Sequence, residues 1–144
     1  MATSLANGAL TLSVPNSLQG LKDGLDGLST WLQEAKVGLD VENRALLVFE
    51  EIVTNIMRYG FDDSLEHKIE IVSALSGDEL RLTFDDEGRP FDPVKAPAPQ
   101  RDESLATASI GGRGIFLVRK AAKHLDYERT PRGHNRLTVV IPRS

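Results

Sequence analysis

The chain has 144 residues, 40% of them hydrophobic and 26% charged, with 17 Lys plus Arg against 21 Asp plus Glu and no cysteine. That length suits one domain with a real core, and the net charge of −4 speaks against bulk binding to nucleic acid or anionic lipid. Without cysteine, disulfides, thiolate metal sites and cysteine nucleophiles are excluded. No window reaches the roughly 18 apolar residues of a membrane span, and MATSLANGALTLSV has no charged leader before a long apolar run. The expectation is one cytoplasmic domain over residues 1–144.

Ala9 to Val14 alternates apolar and hydroxyl residues up to Pro15, the pattern of a short strand. Ser17 then offers a helix cap before Leu18, Leu21, Leu25, Leu28 and Leu32, which recur on one helical face. Gly20, Gly24 and Gly27 weaken that helix unless they permit close packing. A second helix is expected from a cap at Asp40, with Ala45, Val48, Phe49, Ile52, Val53 and Ile56 as its buried stripe, ending near Tyr59-Gly60. Lys68 to Leu75 and Glu79 to Asp85 read as a hairpin turning at Ser76-Gly77-Asp78. From Arg89 to Ser109 prolines and charges erase any periodicity, which marks a functional or mobile loop. Ile110-Gly111-Gly112-Arg113-Gly114 leads into a third helix, and strands near Leu125 to Arg129 and Asn135 to Ile141 close the chain. The order is that of an α+β two-layer sandwich, about three helices on one face of a mixed, mostly antiparallel five-stranded sheet.

Three clusters could carry chemistry. Glu51 and Asn55 lie four positions apart, within about 40° on one side of the second helix. An amide oxygen there can take part in the shell of a nucleotide-bound magnesium ion, and a carboxylate one turn away can position or deprotonate a nucleophile. Asp85-Asp86-Glu87-Gly88 closes a strand, where a carboxylate can accept from a base amino group and glycine lets the backbone approach a planar ring. Gly111-Gly112-Arg113-Gly114 precedes a helix, as in a phosphate cradle, but with neither the lysine of a Walker loop nor Rossmann spacing. Taken singly, these read as solvated surface, an acidic turn and a glycine hinge. His67, His124 and His134 have neither metal-ligand nor triad spacing.

In their order along the chain the three clusters resemble the N box and the two glycine boxes of the Bergerat-fold ATPases, the superfamily of gyrase, histidine kinases and MutL. Within it, the short length resembles the anti-sigma serine-protein kinases of the RsbW and SpoIIAB type. The resemblance implies that Asn55 ligates the magnesium ion on the ATP phosphates and that Glu51 is the base toward a partner's serine or threonine hydroxyl. It implies that Asp86 binds the adenine amino group with Gly88 against the ring, that Pro93 to Ile110 form a lid, and that Gly111, Gly112, Arg113 and Gly114 line the phosphates. Two stretches depart from the wider pattern. Arg89-Pro90-Phe91-Asp92 stands where many members carry a second glycine, and Gly133-His134-Asn135-Arg136 replaces a Gly-Thr pair near the last strand.

The function so implied is an ATP- and magnesium-dependent serine/threonine-protein kinase acting as an anti-sigma factor. It would phosphorylate a STAS-domain anti-anti-sigma protein and alternatively hold a sigma factor, without direct nucleic-acid or membrane contact. Relatives are often homodimers, though no residue here marks an interface. Two alternatives remain open: a nucleotide-gated binding module without kinase activity, and an accessory ATPase domain acting with a separate phosphatase or receptor.

Overall fold

The computed structural model describes residues 2–5, 8–61, 63, 65–93 and 110–143, of which 2–5 and 110–113 are described by their backbone alone. Along the chain run β1 (Ala2–Leu5), β2 (Ala9–Pro15), α1 (Leu18–Glu34), α2 (Leu39–Tyr59), β3 (Lys68–Ser76), β4 (Glu79–Asp86), α3 (Ile110–Ala121), β5 (His124–Arg129) and β6 (Asn135–Pro142). The five expected strands are present, and β1 adds a sixth at the sheet edge, in the order β1-β2-β3-β4-β6-β5. Every pairing is antiparallel. Residues 94–109, which hold most of the expected lid, lie outside the described residues.

Side chains alternate across a strand, so Leu80, Leu82 and Phe84 of β4 share one face with Leu137, Val139 and Ile141 of β6, and all six are buried. The register pairs Leu80 with Ile141, Leu82 with Val139 and Phe84 with Leu137. Helices cover that face, with Leu28 and Leu32 of α1, Val48, Phe49 and Ile52 of α2, and Ile115 and Val118 of α3 completing the core. The Phe49 and Phe84 rings meet with centroids 6.2 Å apart. The opposite face is mostly polar, with Glu70, Arg81 and Arg136 exposed and Thr83 and Thr138 half-buried beside Val72 and Val140. Among the described residues no helix is long and apolar enough to cross a membrane.

Ser17 caps α1 as expected, its hydroxyl accepting from the Gly20 N–H at 3.0 Å. The helix tolerates glycine because a Cβ on Gly24 would lie 2.6 Å from Phe49 Cζ and 3.1 Å from Val14 Cγ2. The smallest side chain is what lets α1 settle between β2 and α2. The expected cap at Asp40 is corrected to Gly38, whose φ of +95° suits glycine. Asp40 instead lies in the first turn of α2, where a carboxylate favours the helix dipole, and pairs with Arg44 at 3.3 Å.

Candidate nucleotide site

Helix α2 positions two of the expected site residues through its periodicity. The stripe that buries Val48, Ile52 and Val53 also turns Asn55 inward, leaving it 4% exposed. Its side-chain Nδ2 is fully buried without a hydrogen-bond partner. A buried polar group left in that state costs about 1–3 kcal/mol, so this amide is poised for a ligand or a water, and it can present either end. One turn earlier, Glu51 is half-buried and lies against α3. A Cβ on Gly114 would collide with the Glu51 carboxylate and sit 3.3 Å from its Cδ. Gly114 therefore serves as a seat for Glu51 at the start of the second turn of α3. The glycine cluster opens the helix rather than preceding it, with Ile110 to Gly114 all helical. The side chain of Arg113 lies outside the described residues.

Alternation along β4 carries Asp86 to the helix-covered face two residues after Phe84 and buries it to 4% exposure. Its neighbour Asp85 points to the other face, where its carboxylate meets His134 Nδ1 and Arg136. Both hydrogen bonds to Asp86 fall on Oδ1, from the Gly88 N–H at 2.8 Å and from Asn135 Nδ2 at 3.1 Å. Burial pushes the Asp86 carboxyl above its usual range, and these two donors only partly offset it. Asp86, Asn55 and Asn135 line one pocket, partly open to solvent, with Ile52, Ile56, Gly60, Phe91, Pro93 and Leu137. A flat apolar ring with a polar edge suits such walls.

Gly88 holds the loop close. A Cβ there would stand 2.6 Å from the Gly60 carbonyl oxygen and 2.7 Å from Asp86 Oδ1. The Arg89 N–H donates to the Gly60 carbonyl at 2.9 Å, Arg89 Nε to the Tyr59 carbonyl at 3.0 Å, and the Phe91 ring stacks on Tyr59 with centroids 5.8 Å apart. The loop after β4 is thus bolted to the end of α2, which brings Asn55 and Asp86 to one pocket.

Three residues outside the predicted site set complete the arrangement, of which Asn135 belongs to the divergent stretch Gly133 to Arg136. Asn135, 7% exposed, reaches the Gly88 and Arg89 carbonyls as well as Asp86. Arg129 donates to the Gly88 carbonyl at 2.7 Å, and the Tyr127 hydroxyl donates to Asn135 Oδ1 at 2.5 Å. A signal for Asn135 was present: it sits two residues before Leu137 and four before Val139 in a strand whose odd positions face inward. His67 stacks on Phe61 and His134 bridges Asp85 and Glu87. Among the described residues no three His, Asp or Glu gather around a point that could hold a metal ion.

A buried aspartate at the end of a central strand, a ligand-ready asparagine on the covering helix and a glycine-opened helix beside them match one known family. The model of the histidine kinase-like ATPase domain matches residues 14–141. The chain belongs to this family. Within it, the chain is 31% identical over 94 residues to the serine/threonine-protein kinase BtrW of Bordetella bronchiseptica, a stretch spanning 65% of this chain and 66%, just under two thirds, of that kinase. Among solved structures, the RsbU and RsbW domains of a Mycobacterium tuberculosis protein align with a TM-score of 0.65 at 15% identity, covering 93% of this chain and 32% of that one. The SiaB–SiaC complex of Pseudomonas aeruginosa aligns with a TM-score of 0.64 at 16% identity, covering 91% of this chain and 88% of that one. These structural likenesses establish the fold, the two-layer α+β arrangement of Bergerat type.

Proposed function

We propose that the chain is an ATP- and magnesium-dependent serine/threonine-protein kinase of the partner-switch type. Its substrate is the hydroxyl of a STAS-domain protein, and its alternative client is a sigma factor met in the cytoplasm. The observation that carries this reading is the convergence of Asn55 and Asp86 on one pocket, with Glu51 one helical turn from Asn55. Similarity to a serine/threonine-protein kinase supports the phosphoryl-transfer reading.

In this reading Asp86 Oδ2 accepts from the adenine amino group, and Gly88 leaves room for the ring. The N–H groups that open α3 at Gly111, Gly112 and Arg113 face the phosphates, as free amides at a helix start do. The Asn55 amide oxygen is the hard donor that suits magnesium. With no protein cage among the described residues, the remaining ligands would be phosphates and waters. The ion, when bound, neutralises charge on the transferring group. Glu51 accepts the proton of the partner's hydroxyl as its oxygen bonds to the γ-phosphorus, and the bond from that phosphorus to the bridging oxygen breaks to release ADP. The added phosphate then repels the acidic kinase and frees it for its other client.

The test is transfer of labelled γ-phosphate to STAS-domain partners by the wild type and by Glu51→Gln. The wild type should label one serine or threonine, and the variant should bind ATP equally yet transfer at least about 100-fold more slowly. ATP binding without transfer to any partner, or a Glu51→Gln variant with full regulatory activity, would leave a nucleotide-gated binding module instead.

A further inference from the structure

The orientation of the Asn135 amide is settled by its surroundings. Its Nδ2 faces three acceptors, Asp86 Oδ1 at 3.1 Å, the Arg89 carbonyl at 2.9 Å and the Gly88 carbonyl at 3.4 Å. Its Oδ1 faces the Tyr127 hydroxyl. A flipped amide would set oxygen against three oxygens and waste the tyrosine donor. Asn135 and Asp86 are also direct partners in the β4–β6 register, so the contact is fixed by the sheet.

This has a chemical consequence for Asp86. Its Oδ1 already receives two donors, from Asn135 and from the Gly88 N–H, so any ligand must be read by Oδ2. A carboxylate oxygen there accepts, which matches the 6-amino group of a purine and opposes a 6-oxo group. We propose that Asn135, clamped by Tyr127, is the positioning residue that keeps Asp86 an acceptor and so makes this pocket choose 6-amino over 6-oxo purine nucleotides. The inference rests on the ATP reading above and deepens it. It assigns base selectivity to residues in the stretch Gly133 to Arg136, which departs from the wider superfamily pattern.

Inosine triphosphate differs from ATP only along one base edge, with a 6-oxo group and an N1–H in place of the 6-amino group and an unprotonated N1, so the ratio of the two affinities reads that edge apart from general loosening of the pocket. The experiment is calorimetric binding of ATP and of inosine triphosphate to the wild type, Asn135→Asp and Tyr127→Phe. The wild type should favour ATP by about 100-fold, toward the upper end of what a buried hydrogen-bonding group left without its partner costs. In Asn135→Asp the two facing carboxyls must share a proton, and the ratio should fall below about 10-fold. Tyr127→Phe, a mild change that keeps the ring, should lower the ratio several-fold. A folded Asn135→Asp with a wild-type ratio overturns the proposal. If that variant does not fold, an unchanged ratio in Tyr127→Phe overturns it. A wild type that binds neither nucleotide overturns the ATP reading and this inference with it, whereas a wild type that binds both equally overturns the inference alone.

Discussion

Gly114→Ala separates the seat of Glu51 from the rest of the fold, because the added methyl meets one flexible side chain. The new Cβ would overlap the Glu51 carboxylate, with Glu51 Cδ at 3.3 Å and Glu51 Cβ at 3.5 Å. The contact is with the far end of a glutamate, so the side chain rotates away, at about 0.5–1.5 kcal/mol if it leaves a rotamer minimum. Replacing glycine by alanine inside a helix returns about 0.8–1 kcal/mol. The two terms nearly cancel, but Glu51 also holds an interaction that the rotation would loosen, worth about 0.5–1.5 kcal/mol, so the melting temperature should fall by no more than roughly 8 °C. Catalysis has no such compensation. A base displaced by about 1 Å loses on the order of 100-fold in rate, while ATP affinity, which the proposed function assigns to Asp86 and Asn55, should change less than about threefold. Thermal denaturation, calorimetry with ATP and phosphotransfer to a STAS-domain partner read the three quantities independently. An unchanged transfer rate in a folded variant would refute the assignment of Gly114 as the seat of the base.

Asp86→Asn should weaken ATP by about 100-fold in calorimetry, the scale of a buried hydrogen bond replaced by a mismatch. The carboxyl is raised on folding, so the folded protein binds the proton more tightly than the unfolded chain, and the wild type loses stability as pH rises through the raised value. Free of nucleotide, the variant should therefore melt at or above the wild-type temperature at pH 7, with the difference shrinking on acidification; a variant less stable at pH 7 would contradict this. Asn55→Ala removes a buried amide whose Nδ2 has no hydrogen-bond partner, so its nucleotide-free melting point should fall by less than the equivalent of about 1 kcal/mol. It should lose most of the roughly 2.7 kcal/mol that Mg·ATP supplies at 100 times Kd, as differential scanning fluorimetry would show. Gly24→Ala drives a methyl into Phe49 and Val14. Overpacking of about 1–3 kcal/mol outweighs the helix-propensity gain, so urea midpoints should drop.

Much of this was legible in the chain. Alternation in Leu80-Arg81-Leu82-Thr83-Phe84 already separates the inward Asp86 from the outward Asp85, and the apolar stripe of α2 places Asn55 on its buried side. The glycines of α1 read as close packing, and Gly24 against Phe49 bears that out. What could not be read were contacts made by residues far apart in sequence. Nothing local says that the Tyr127 hydroxyl would orient Asn135, or that Arg129 would reach the Gly88 carbonyl across 41 positions. The start of α2 was missed because a side-chain cap signal at Asp40 competed with a backbone requirement at Gly38, and φ decided it. Strand β1 was missed because four residues ATSL carry too little pattern to stand out.

The register of β4 against β6 reaches beyond packing. Hairpins β3–β4 and β5–β6 close locally, but Asp86 meets Asn135 only through a ladder joining segments 49 positions apart. Closing a loop of that length costs entropy before the ladder repays it, so the Asp86–Asn135 and Phe84–Leu137 contacts depend on the same long-range pairing. A slip of one residue would turn Asp86 to the polar face and bring Asp85 inward. The pocket is thus a reporter of correct strand alignment: only in this register does Asp86 face Asn135, so a ligand that needs the pair would favour the aligned sheet.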